Sequence, residues 1–346
     1  MVAIGASAAS GQTIRIANNN VNAPTGANVY STIQAAHDAS EVGDIIHVIG
    51  SPTRYAGATI RKRLTIIGIG IAPDKDVAHQ SWVNGMTLTT GTGTNANGTV
   101  LEGLLFDSTV HLDGATSDVR ISRCFFSNAV VNEDNVSKSG IVIEDNIWQR
   151  FSSWSIDLNY GGNSNIVIRN NIFLRSYLHA DDALIANNVF VALNEQYSIR
   201  DSNNLLVVNN IFYRMQPMTG VNINNSVFNN NLAITTSPDT DNLPTPSTPI
   251  GTNTGQGNIE GQDPLFVNFP EGATLGSDSW TATMDFNLQA GSPAKNAGSD
   301  GSDMGIYGGT EPYSRLVPIP IIQSVNTAAA IKQGETLSTT VQAQAQ

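Results

Sequence analysis

The clearest regularity in the chain is a six-residue unit that returns between residues 101 and 233 and sets apolar positions around one small or amide position. Five copies align without gaps: ISRCFF at 121–126, IEDNIW at 143–148, IRNNIF at 168–173, IANNVF at 185–190 and VVNNIF at 207–212. A looser copy, FNNNLA, occupies 228–233, and LEGLLF at 101–106 fits if Gly103 takes the amide position. Along Gly103, Cys124, Asn146, Asn171, Asn188, Asn210 and Asn231 the steps are 21, 22, 25, 17, 22 and 21 residues, so the unit persists while its spacers vary. Each copy supplies an apolar residue, a turn residue, a second apolar residue and an aromatic. Spacers this short and polar leave no room for the helices of a globular α/β fold, and a β-propeller would need about forty residues per blade. The pattern predicts an all-β chain, a right-handed parallel β-helix. Its coils stack about 4.8 Å apart, so that like residues lie above like. Asn146, Asn171, Asn188, Asn210 and Asn231 then form a buried ladder that passes hydrogen bonds between coils, with Cys124 a small buried substitute at its lower end. Phe126, Trp148, Phe173, Phe190 and Phe212 form a matching aromatic ladder.

The pattern changes at both ends. In YSTIQAAHDASEVGDIIHVIG at 30–50, Ile33, Ala36 and Ala39 recur at helical spacing before Gly43-Asp44 turns into an apolar run. This reads as a short capping helix followed by the first strand, as an end coil would otherwise expose its core. Beyond Thr235 a Pro-, Thr- and Asn-rich loop leads to 263–309, whose Gly and Pro punctuation suggests a covering segment that closes the C-terminal end. After Val317-Pro318-Ile319-Pro320 come two strand-like stretches, Ile321–Val325 and Leu337–Ala345, too few for an independent domain. The expected division is 1–11 leader remnant, 12–58 cap, 59–234 coils, 235–316 closing segment and 317–346 linker and two-stranded tail.

Composition narrows the function classes. Only 13% of the 346 residues are charged, the net charge is -12 and no Lys/Arg cluster is present, which excludes nucleic acid as a partner. Such acidity fits solubility outside the cell, with calcium-binding carboxylates the sharper alternative. Cys124 is the only cysteine, so neither a disulfide framework nor a cysteine metal site is available. No run of eighteen apolar residues exists to span a membrane as a helix. MVAIGASAAS at 1–10 reads as the end of a signal peptide lacking its basic region, which predicts an upstream start codon, a mature chain beginning near Gln12 and secretion.

The Asn-x-aromatic units, the opening TIQAAHDASEVGDIIHV and the closing DPLFVN…DFNLQAGSPAKNAGSDGSDMGIYGG together resemble the pectate-lyase-like right-handed β-helix superfamily. The resemblance covers about residues 15–310, and the whole chain most resembles secreted β-helix repeat proteins of Bacteroidota-type bacteria. It implies the fold. It leaves function open, because members of that superfamily include enzymes that cleave acidic polysaccharides as well as adhesins and structural surface proteins.

A lyase would need a base beside a uronate and acidic residues to hold calcium. The candidates are His179, Asp181 and Asp182 in the LHADDA turn, with Glu144 and Asp145 on the neighbouring coil and Asp157 further round it. Arg150, Arg175 and Arg214 each follow their ladder Asn by four residues and should form one row fit for a polyanionic sugar, although Ala192 and Asn128 interrupt it. Against catalysis, an exposed His-Asp turn is commonly a solvated corner, and long Arg side chains commonly cover apolar surface. The motifs of the lyase and polygalacturonase branches find no match. Asp300 and Asp303 could bind calcium but lack the spaced ligands of a calcium loop. No cofactor is therefore assigned, calcium alone staying open. The expectation is a non-catalytic extracellular structural or adhesive protein. The uncharged strand Leu337–Ala345, with no evident partner, could pair head-to-tail with another copy and build filaments, or fold back on its own helix. The alternative is a polysaccharide lyase or glycosidase acting on an acidic glycan.

Overall fold

A computed structural model describes residues 11–344 apart from 72–78, 128–130, 193–196, 219–221, 236–242, 246, 270–279, 282, 316–320 and 328–338. The predicted architecture is present: a solenoid of parallel strands with one helix among the described residues. One sheet holds twelve strands, all joined by parallel pairing, and a second holds sixteen. The hexapeptides stack in register, Ile121 against Leu101 and Ile143, then Ile143 against Ile168 and Ile168 against Ile185. Strand alternation sends the first, fourth and sixth residue of each unit inward, where the side chains are fully buried. The aromatic ladder is continuous. Its rings stack at centroid distances of 5.2 Å (Phe106–Phe126), 3.8 Å (Phe126–Trp148), 5.9 Å (Trp148–Phe173), 4.6 Å (Phe173–Phe190) and 5.0 Å (Phe190–Phe212).

The asparagine ladder is also present. Asn188 accepts from the Asn171 backbone N–H at 2.9 Å, and its own amide donates to Ile168 O at 2.9 Å and to Asn210 Oδ1 at 3.0 Å. Asn146, Asn171, Asn210 and Asn231 repeat the arrangement, and Cys124 closes the lower end by donating its backbone N–H to Asn146 Oδ1. Two sequence assignments are corrected here. The residue beneath Cys124 is Leu104, because Leu105 pairs with Phe125; Gly103 belongs one position earlier. That earlier column (Gly103, Arg123, Asp145, Asn170, Asn187, Asn209, Asn230) has positive φ throughout, from 51° to 64°, and turns the chain between the two sheets. The ladder also outlasts residue 234: strands Thr254–Gln256 and Ile259–Glu260 add a further coil, and Asn258 caps the amide row by accepting from Asn231.

The ends differ from expectation as well. The first strand is Ile14–Ala17, which pairs with Ile45–Val48 and Val29–Tyr30, so the helix Ile33–Ala39 follows it. Thr32 caps that helix by accepting from Ala35 N, and Ile33, Ala36 and His37 are buried in it. At the other end Leu243 is buried in the core, and Pro244 O accepts from Asn258 Nδ2. Residues 263–315 do not close that end. The described residues among them form a strap down the flank of the solenoid, burying Phe266, Met284, Phe286, Met304 and Ile306 against Ile172, Val189, Ile211 and Leu232, which point outward from the coils. The tail strand Thr339–Gln344 does have a partner, pairing antiparallel with Ile321–Thr327.

Candidate functional site

Strands Ile147–Leu158 and Ile172–Ala180 are the longest among the described residues because they run on through the corner that interrupts other coils. Their second halves, paired with two register shifts, place Trp154, Asp157, Tyr177 and His179 together. Ile156, Leu158, Leu178 and Ala180 alternate with these residues and fill the core. His179 Nδ1 lies 3.2 Å from Asp157 Oδ1, its ring stacks on Trp154 at 4.8 Å and 27°, and Trp154 meets Tyr177 edge-on at 4.5 Å. From the next coil Arg200 lies over the Tyr177 ring at 4.2 Å and the Tyr197 ring at 5.5 Å. The result is an aromatic cluster in which Tyr177 and His179 are buried while Trp154, Asp157, Tyr197 and Arg200 stay partly exposed. Its exposed part offers aromatic edges and faces beside one guanidinium and one carboxylate.

Of the predicted turn residues, His179 thus meets Asp157, whereas Asp181 and Asp182 turn to the coil above. Asp181 accepts from Asn203 N at 2.6 Å and Asn203 Nδ2 at 3.3 Å, and burial pushes its carboxyl above the usual range. Asp182, at φ 54°, accepts from Asn204 Nδ2 at 3.0 Å. Arg175, Ala192 and Arg214 do share a column, since Leu174, Val191 and Tyr213 are in register. Arg214 lies over its neighbour Tyr213 at 5.0 Å, and of Arg150 only the backbone is described.

Glu144 and Asp145 belong to another face, beneath the strap, in a network that the sequence did not reveal. Glu102 pairs with Arg123 at 2.5 Å, Arg123 approaches Asp145 at 3.6 Å, and Glu144 binds Arg120 at 2.5 Å and Arg169 at 2.7 Å. Arg169 also pairs with Glu311 of the strap. Burial works against ionisation of Glu144, but Arg120 and Arg169 outweigh it and hold the carboxyl below its usual range. Asp145 lacks such close partners: burial pushes it up to about 7, against the pull of Arg123.

Asp300 and Asp303 serve their own turn. Asp300 accepts from Ser302 N and Oγ, and Asp303 from Asn296 N and Lys295 Nζ. Among the described residues no three His, Cys, Asp or Glu side chains converge as metal ligands, and no helix is long and apolar enough to cross a membrane. The sequence had singled out neither Trp154, Tyr177 and Arg200 nor Arg120, Arg123 and Arg169; all but Arg123 and Arg169 fall in spacers, and every one gains its meaning only from the coil above or below. Compared with known proteins, the chain matches no protein-family model and no curated protein.

Proposed function

We propose that the protein is a non-catalytic, extracellular adhesive β-helix that holds a glycan on the patch formed by Trp154, Tyr177, His179, Tyr197 and Arg200. The carrying observation is the continuity of that patch across three successive coils, with Arg200 laid over Tyr177 and His179 stacked on Trp154. Aromatic faces suit the apolar faces of sugar rings, and the guanidinium suits a carboxylate or sulfate on an acidic glycan. The stacked parallel coils support a reading as a member of the pectate-lyase-like superfamily, and an acidic, sparsely charged composition supports a place outside the cell. Assembly into filaments would pair the C-terminal strands, Ile321–Thr327 and Thr339–Gln344, with another copy. Affinity electrophoresis through gels containing pectate, alginate or chondroitin sulfate tests the reading. Retardation in at least one gel, lost in the Trp154→Ala/Arg200→Ala variant, is expected. A wild-type protein that runs unretarded in every gel overturns it.

The second reading, a lyase or glycosidase for an acidic glycan, is favoured by the approach of His179 to Asp157 beside Tyr177. It predicts unsaturated uronate, read by ultraviolet absorbance, or new reducing ends, either one abolished by His179→Ala.

A further inference from the structure

Among the described residues, the lower end of the strap rests on a charge network whose count is uneven. Glu102, Glu144 and Glu311 are matched by Arg123, Arg120 and Arg169, three carboxylates by three guanidiniums. Asp145 is a fourth carboxyl on the same ground. It is buried, 3.6 Å from an Arg123 already bound at 2.5 Å to Glu102, and it accepts the Ser314 backbone N–H at 3.3 Å. Beside it Tyr313 is buried, its hydroxyl without a hydrogen-bond partner among the described residues. Arg315, the next cation along the strap, lies over the Trp280 ring at 5.7 Å, and Tyr307 meets Tyr313 edge-on at 6.0 Å. The titratable and charged groups that act on Asp145 are Arg123, Glu144, which precedes it, and Arg120 from the coils, with Tyr313 from the strap. A neutral Asp145 leaves the network balanced; an ionised one adds an unmatched charge beneath an apolar cover.

We infer that residues 311–315 form a pH-sensitive latch, seated on Asp145 while its carboxyl is protonated and released when that carboxyl ionises. The direction follows from the environment. The folded carboxyl is held up to about 7 by burial, whereas in an open, solvated strap it returns to about 3.9. The seated state is therefore fully favoured in acid, loses ground as pH rises between these values, and is at its weakest above neutrality. Upstream of the latch the strap is held by contacts that do not titrate in this range: Asn170 Nδ2 donates to Ile306 O, and Asn209 O accepts from Gly305 N. Release is thus confined to the end of the strap, and it uncovers the edge of the apolar face next to Ile147 and Trp280.

Hydrogen exchange by mass spectrometry tests this on the full chain, between pH 5.5 and 8.5, with each rate divided by the intrinsic chemical rate at that pH. Protection of peptides covering 311–315 is expected to fall about tenfold across the range in the wild type and to stay high in Asp145→Asn. An amide keeps the acceptor for Ser314 and tolerates the positive φ of this position, so the variant retains the seat without the charge. Peptides covering 207–212 serve as the internal reference and should not change. A flat wild-type profile, the same pH dependence in Asp145→Asn, or an equal loss in the core reference overturns the latch.

Discussion

In the units at 168–173, 185–190, 207–212 and 228–233 two asparagines stand side by side, and the fold uses them in opposite ways. The second of each pair (Asn171, Asn188, Asn210, Asn231) points inward, is fully buried and spends its amide on the coils below and above. The first (Asn170, Asn187, Asn209, Asn230) has φ between 51° and 58°, points outward and is gripped by the strap. Asn170, Asn187 and Asn230 donate to Ile306 O, Gly305 O and Ala297 O, and Asn209 accepts from Ser299 N at 2.8 Å. The same side chain therefore serves as a rung inside and as a clasp outside. Position relative to the turn decides which, because asparagine both tolerates the left-handed backbone and carries a donor and an acceptor on a short stem.

Substitutions should separate the two roles. Asn188→Ala takes from the Asn171 backbone N–H its acceptor, removes the donor to the Ile168 carbonyl and opens a gap in a dry core, which should cost about 3–5 kcal/mol in chemical denaturation. A cost under about 1 kcal/mol would mean that the inner ladder is ornamental. Asn209→Ala removes the clasp on Ser299 and puts alanine in the left-handed region, for about 1–2 kcal/mol in all. Its mark should be selective, with faster proteolysis of the strap and an unchanged core. The smallest effect is expected at Cys124→Asn, which extends the inner ladder by one rung at a buried position and should change stability by no more than about 1 kcal/mol. Burial pushes the thiol of wild-type Cys124 up to about 12, so native protein should resist alkylation that unfolded protein accepts.

The inner half of this comparison was legible in the sequence. Isoleucine or valine, then asparagine, then phenylalanine, spaced by one coil, point to a stack whatever the spacers contain. The reading failed where the pattern thinned. Glycine suits both a turn and a gap, so the pattern alone puts Gly103 on a rung, and only the register of Leu105 with Phe125 shows Leu104 beneath Cys124. The coil TGQGNIE at 254–260 does not show in the pattern because it lacks the inward apolar and aromatic residues, keeping only Asn258 and Ile259 of the unit. The candidate site was readable in part. His179 and Asp157 were noticed, but their approach depends on a register shift between two strands, which no spacing rule supplies.

By itself, then, the sequence determined the parallel stack, the two inward ladders and the capping helix, since these rest on local repetition and on burying apolar side chains. Tertiary structure alone decided the path of the strap, the outer use of the first asparagines, the ion network around Asp145 and the patch at Trp154. The physical reason is range. Each of these joins residues one or more coils apart, as with Asn170 and Ile306, and many of the partners are backbone carbonyls and amides that every residue possesses. A pattern of side chains specifies where a coil folds on itself. Which irregular segment will later satisfy its outer face is settled only when the coils have stacked.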